Sequence, residues 1–81
     1  MTEKELKNIV FAELKQVAPE CDPEDVDPDE NIREALDIDS YSFLQLLVGL
    51  SDSTGVNIAE ADYKKVFTLG GMLRYLSARV V

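Results

Sequence analysis

The stretch Leu36-Asp37-Ile38-Asp39-Ser40-Tyr41-Ser42-Phe43-Leu44-Gln45-Leu46-Leu47-Val48-Gly49-Leu50 decides the fold. From Ser40 onward it has no proline and no strand-like alternation, and Asp39 is a residue type that accepts hydrogen bonds from the free amides of a first helical turn. The spacing therefore predicts a helix opening at Ser40. Its apolar content exceeds what one buried face uses. Phe43, Leu46, Leu47 and Leu50 form one stripe at three- and four-residue spacing, while Tyr41, Leu44 and Val48 form another, rotated around the axis. A small bundle can bury one such stripe fully, which leaves the second for the surface.

Upstream, Ala18 to Asn31 holds Pro19, Pro23 and Pro28 among carboxylates, too polar to pack and too proline-broken for regular structure. A long surface loop is expected there, with Ile32, Ala35 and Leu36 tying its far end to the core on a single helical turn. Before the loop, Thr2 and Glu5 make a capping-box pattern, and Leu6, Ile9, Val10, Leu14 and Val17 recur at helical spacing until Pro19. Downstream, Gly55 suits a left-handed helix end, and Val56 and Ile58 re-enter the core. Ala61 to Phe67 reads as a short helix. Thr68 caps a last one bearing Leu69, Met72, Leu73, Leu76 and Val80, with Arg74 and Arg79 toward its C-terminal end. Met72 and the leucines could line a cargo pocket, but such residues more often fill a core. The fold class is all-α: one domain over residues 1–81, with three longer helices, a short one and a long acidic loop between the first two.

Sixteen acidic against eight basic residues give a net charge of −8, which repels nucleic acid and anionic membranes and favours partners with basic surfaces. The charge is segregated. Glu20 to Asp39 carries ten carboxylates and one cation, Arg33, whereas beyond Asp62 there are Lys64, Lys65, Arg74 and Arg79 and no acid. One cysteine, Cys21, cannot pair internally, and the chain opens on a charged segment, so a reducing cytoplasm is the expected setting. Cys21 lies between Glu20 and Asp22, whose charge disfavours its thiolate, and reads as an incidental exposed thiol. No apolar run reaches the roughly 20 residues of a membrane span. With no histidine, Ser-His and Cys-His mechanisms and histidine metal sites are excluded. Asp25, Asp27 and Asp29 have the spacing that opens a calcium loop, but Glu30 stands where glycine is needed and Leu36 where the bidentate glutamate is needed, so no metal site is assigned.

Ser40 is the remaining candidate. A serine at a helix start lies where free amides and the positive end of the dipole favour an attached phosphate. Alone, Asp39-Ser40 equally describes ordinary capping. Read with its surroundings, Leu36-Asp37-Ile38-Asp39-Ser40 resembles the L-G-x-D-S-L motif of acyl carrier proteins, with Leu36, Asp39 and Ser40 matching directly. Gly55-Val56-Asn57-Ile58, Asp62-Tyr63 and Thr68-Leu69 resemble that family's later helices, so the likeness spans nearly the whole chain.

The resemblance implies a non-catalytic carrier. A phosphopantetheinyl transferase using a divalent cation would attach 4'-phosphopantetheine from coenzyme A to Ser40, with Asp39 its motif neighbour. The arm's thiol would hold acyl groups for acyl-activating, condensing and acyl-transfer enzymes of fatty-acid, polyketide or related lipid biosynthesis. Asp37 replaces the motif's glycine and Tyr41 its leucine, and the second helix offers only Asp52 where the family presents several acids. These departures point to a specialised carrier whose docking surface comprises Asp37, Tyr41, Leu44, Val48 and Asp52 and leans on apolar contact; a monomer is expected. Two alternatives stand beside it. One is a carrier of amino acids, which more often has a second glycine where this chain has Ile38; the other is a helical interaction module without a prosthetic group.

Overall fold

The computed structural model describes residues 1–80. Helix α1 spans Glu3–Val17, α2 Ile32–Leu36, α3 Ser40–Thr54 and α4 Leu69–Ser77; short 3-10 segments cover Pro23–Asp25 and Glu60–Val66. The expected second helix is thus α3, preceded by the expected helical turn as α2. The stretch expected as a short helix over Ala61–Phe67 is a 3-10 segment shifted by one residue. Ala59 gives its first turn no side-chain cap, and the segment is held instead by buried Val66 and by Asp62.

Each long helix starts where its cap chemistry dictates. Thr2 and Glu5 form the reciprocal capping box of α1, with the Glu5 N–H donating to Thr2 Oγ1 at 3.1 Å. Thr68 Oγ1 accepts from the Gly71 N–H at the start of α4. At the end of α3, Gly55 sits at φ 74°, a left-handed position that glycine adopts without steric cost. Helix α4 stops at Ser77, short of Arg79 and Val80; Arg79 folds back to donate to the Tyr75 carbonyl at 3.1 Å.

Leu6, Val10 and Leu14 of α1, Phe43, Leu46, Leu47 and Leu50 of α3, and Leu69, Met72, Tyr75 and Leu76 of α4 join a single buried cluster. α1 packs along α3 and against α4. Met72 and Leu76 are wholly buried and fill the core. Ile9, expected on the α1 stripe, is only half-buried, and Phe11 on the other flank packs against the core instead.

The loop is less detached than its polarity suggests. Pro23 and Val26 are buried, so two apolar side chains anchor a segment expected to be too polar to pack. Cys21, expected to be exposed, is half-buried against the core. The loop's far end is fixed by backbone pairing: the Gly70 N–H donates to the Pro28 carbonyl at 2.9 Å and the Ile32 N–H to the Phe67 carbonyl at 2.7 Å. This pairing requires small residues at the start of α4. A Cβ on Gly70 would lie 3.1 Å from the Pro28 oxygen, and one on Gly71 would lie 2.5 Å from the Lys65 oxygen and 2.9 Å from Thr68 Oγ1.

Gly71→Ala should therefore force the Glu60–Val66 segment off α4 and cost about 1–3 kcal/mol, the range for overpacking a filled interior. Gly70→Ala should cost less. Urea unfolding of the two variants beside the parent checks the order.

Candidate functional site at the start of α3

The junction between α2 and α3 is a three-residue turn, Asp37 to Asp39, and its geometry explains the residues around Ser40. Asp37 ends α2 in the left-handed region, φ 52° and ψ 49°. Its N–H donates to the Glu34 carbonyl and that of Ile38 to the Arg33 carbonyl at 3.0 Å, the paired bonds that close a helix C-terminus on a left-handed residue. Aspartate is among the few non-glycine residues that tolerate this conformation. The motif's glycine is thus replaced by a residue that keeps the turn.

Asp39 then caps α3. Its Oδ1 accepts from the Ser42 N–H at 2.8 Å, and its carbonyl accepts from the Phe43 N–H at 3.0 Å. Hydrogen bonds from Ser42, first from its backbone, hold the Asp39 carboxyl below the ordinary value of 3.8, with a smaller contribution from the Arg33 charge. Ser40, the first residue of α3, is exposed, and its hydroxyl has no hydrogen-bond partner among the described residues. The capping function belongs to Asp39, which leaves Ser40 Oγ available. With Ser42 and Phe43 satisfied by Asp39, the N–H groups of Ser40 and Tyr41 have no acceptor among the described residues, so they suit a phosphate bonded at this position.

The first stripe of α3 is buried, and the second lies open: Tyr41 is 68% exposed, Leu44 43% and Val48 55%. Gln45 Nε2 donates to Tyr41 Oη at 3.1 Å along the same face. These residues run away from Ser40 along one side of the helix. Asp52 is exposed near the other end of α3, about 18 Å along the axis from Ser40 at 1.5 Å per residue, so the structure does not gather it to the site. Asp37 and Asp39 are exposed beside Ser40. One feature escaped the sequence: a groove of about 420 Å³ whose walls include Val17, Ala18, Cys21, Leu36, Asp37 and Ile38. Its residues come from both ends of the acidic loop, and only the closure of that loop brings them together.

Beyond the site, Tyr75 Oη donates to Asp62 Oδ2 at 2.7 Å, and Lys65 pairs with Asp62 Oδ1 at 3.3 Å. The Tyr75 hydrogen bond holds the Asp62 carboxyl low and raises the phenol. No helix among the described residues is long and apolar enough to cross a membrane.

Residues 6–76 match the phosphopantetheine attachment site family. The chain belongs to the acyl carrier protein family. It is 31% identical over 78 residues to an acyl carrier protein of Lactobacillus johnsonii, with 96% of each chain covered. It is likewise 31% identical to an acyl carrier protein of Rhodococcus erythropolis, covering 83% of this chain and 77% of that protein. A meromycolate extension acyl carrier protein of Mycolicibacterium aurum is 31% identical over 66 residues, covering 82% of this chain and 68% of that one. Members of the family are carriers rather than catalysts, and the cofactor they imply here is a covalently attached 4'-phosphopantetheine.

Asp37→Gly should stabilise the fold by up to about 1 kcal/mol, since glycine removes the left-handed cost of a residue bearing a Cβ. Thermal unfolding measures it. The lowered carboxyls of Asp39 and Asp62 mean that folding favours their charged forms, so their stabilisation is present above the ordinary value of 3.8 and disappears as pH falls through the lowered values. Melting temperature should decline below that value, and less steeply in Asp39→Asn.

Proposed function

We propose that this chain is an acyl carrier whose 4'-phosphopantetheine is attached at Ser40 Oγ by a phosphopantetheinyl transferase drawing on coenzyme A. The observation that carries this reading is the exposed, unpartnered hydroxyl of Ser40 on a helix whose cap is already supplied by Asp39. When attached, the arm supplies a thiol for thioester-bound acyl groups. The role of the chain's own residues is positional. Asp37 and Asp39 fix the direction in which α3 starts, the free amides of Ser40 and Tyr41 favour a phosphodiester, and the rigid first turn holds the attachment point at the surface.

Tyr41, Leu44 and Val48 would meet apolar ground on the transferase and on the acyl-activating, condensing and acyl-transfer enzymes, because a contiguous apolar strip beside an attachment point is the surface such encounters need. Asp37, Asp39 and the acidic loop would steer basic partners toward it, a rate effect that salt weakens. Asp52 would contribute only to partners long enough to reach along α3. The pathway is best read as lipid biosynthesis in the cytoplasm, from the acyl and meromycolate extension carriers among its relatives.

Intact-mass measurement after incubation with coenzyme A, magnesium and a transferase of broad specificity tests the attachment. The parent chain should gain one phosphopantetheine, and Ser40→Ala should gain none while keeping its helical circular dichroism. Modification of Ser40→Ala, at Ser42 or elsewhere, would overturn the assignment.

A further inference from the structure

The acidic character of the chain stops at Asp62, and folding gathers the cations beyond it into one groove. Lys64 and Lys65, from the Glu60–Val66 segment, line this groove of about 500 Å³ with Arg74 and Tyr75 of α4 and Arg79 just beyond it. None of these residues belongs to the acidic loop or to α3.

The chain has sixteen carboxylates, yet of the four groove cations Lys65 alone makes an ion pair among the described residues, with Asp62; Lys64, Arg74 and Arg79 make none there and are exposed. Two of the cations are also held in place. The Arg79 guanidinium stacks 3.6 Å from the Tyr75 ring centroid and donates to the Tyr75 carbonyl. Tyr75 is in turn bonded to Asp62, which holds Lys65. Side chains already ordered lose less freedom on binding, so this network prepares the groove for an anionic occupant.

We propose that this groove docks a carboxylate-rich segment of a partner protein, at a surface that shares no residue with the one around Ser40. Charge complementarity selects the class. A short acidic segment can be met by the local cations alone; a long polyanion such as nucleic acid would extend over the acidic surface as well and be repelled by a net charge of −8. A second copy brings the same overall charge and the same repulsion. A carrier with oppositely charged surfaces could stay bound to an acidic partner while its Ser40 face exchanges between basic ones. The proposal does not depend on modification at Ser40.

The full chain, labelled with nitrogen-15, is titrated with a short polyglutamate peptide while amide shifts are monitored. Shifts confined to residues 64–79, weakened at least about threefold between low and physiological ionic strength, support the groove. They should vanish in Lys64→Gln/Arg74→Gln, whose fold is checked by circular dichroism; should that pair unfold, Lys64→Gln alone must weaken them. Absence of shifts, or shifts centred outside the groove, overturns the proposal. So does equal response to inorganic phosphate or to a single-stranded oligonucleotide. Salt-sensitive self-association that the double variant abolishes overturns it too, since the occupant would then be another copy's acidic loop.

Discussion

The short backbone pairing between the end of the acidic loop and the start of α4 is the contact on which the rest of the molecule depends. Residues 18–31 have few apolar side chains with which to hold themselves: Pro23 and Val26 are buried, and Ala18 and Cys21 pack half-buried against the core. The Gly70-to-Pro28 and Ile32-to-Phe67 hydrogen bonds fix where the loop ends, and so where α2 begins. α2 is a helix of five residues, too short to form by itself, and it exists because Ile32 and Leu36 are buried and both of its ends are bonded. From α2 the three-residue turn hands its direction to α3. A distortion at Gly70 or Gly71 would thus reach Ser40 through a chain of fixed elements although neither glycine is part of the site.

At the α2–α3 junction three consecutive needs fall on different residues. Asp37 supplies the left-handed turn, Asp39 the cap, and Ser40 neither. That division leaves Ser40 free of the capping role. A serine used as a cap has its oxygen committed to an amide of the next turn and is turned inward along the helix start; here the carboxylate next to it makes that bond. Asp37 also shows why its departure from the family motif is mild, since the position asks for backbone conformation more than for absence of a side chain.

Most of the architecture was legible because it rests on periodicity and on caps, which are local. The stripes of α1 and α3, the Thr2 and Thr68 caps and the Gly55 stop all arise from residues within a few positions of one another. The expectations that failed involve residues remote in sequence. Val26 and Pro23 gave no periodic signal, and their burial depends on the loop folding back over the core. The Glu60–Val66 segment has helix-forming residues but no cap, and its tertiary anchors, Val66 and Asp62, leave it as a tighter 3-10 coil. At the site, the motif pointed to Ser40, while the freedom of its hydroxyl became visible only once Asp39 was seen to take the bond. The groove beside Leu36 and Ile38 and the basic groove on α4 lie beyond reach of a linear reading, since each is assembled from separate segments.

The unequal distribution of charge has a structural reason as well as a consequence for encounter. Folding bonds the start of the acid-free tail to the loop through backbone alone, Gly70 N–H to the Pro28 carbonyl and Ile32 N–H to the Phe67 carbonyl, and among the described residues no loop carboxylate makes an ion pair with the tail, so attraction between the two charged regions is not consumed inside the molecule. Had the loop carboxylates paired with Arg74 and Lys64, the chain would present a nearly neutral surface there and little field to a partner. Left unpaired, both regions keep their fields, which physiological salt screens over roughly 8 Å. Such fields act over longer range than apolar contact, so they orient an approaching molecule before the two surfaces touch. Exposed ion pairs contribute little to stability, so forgoing them costs the fold almost nothing while keeping both fields available.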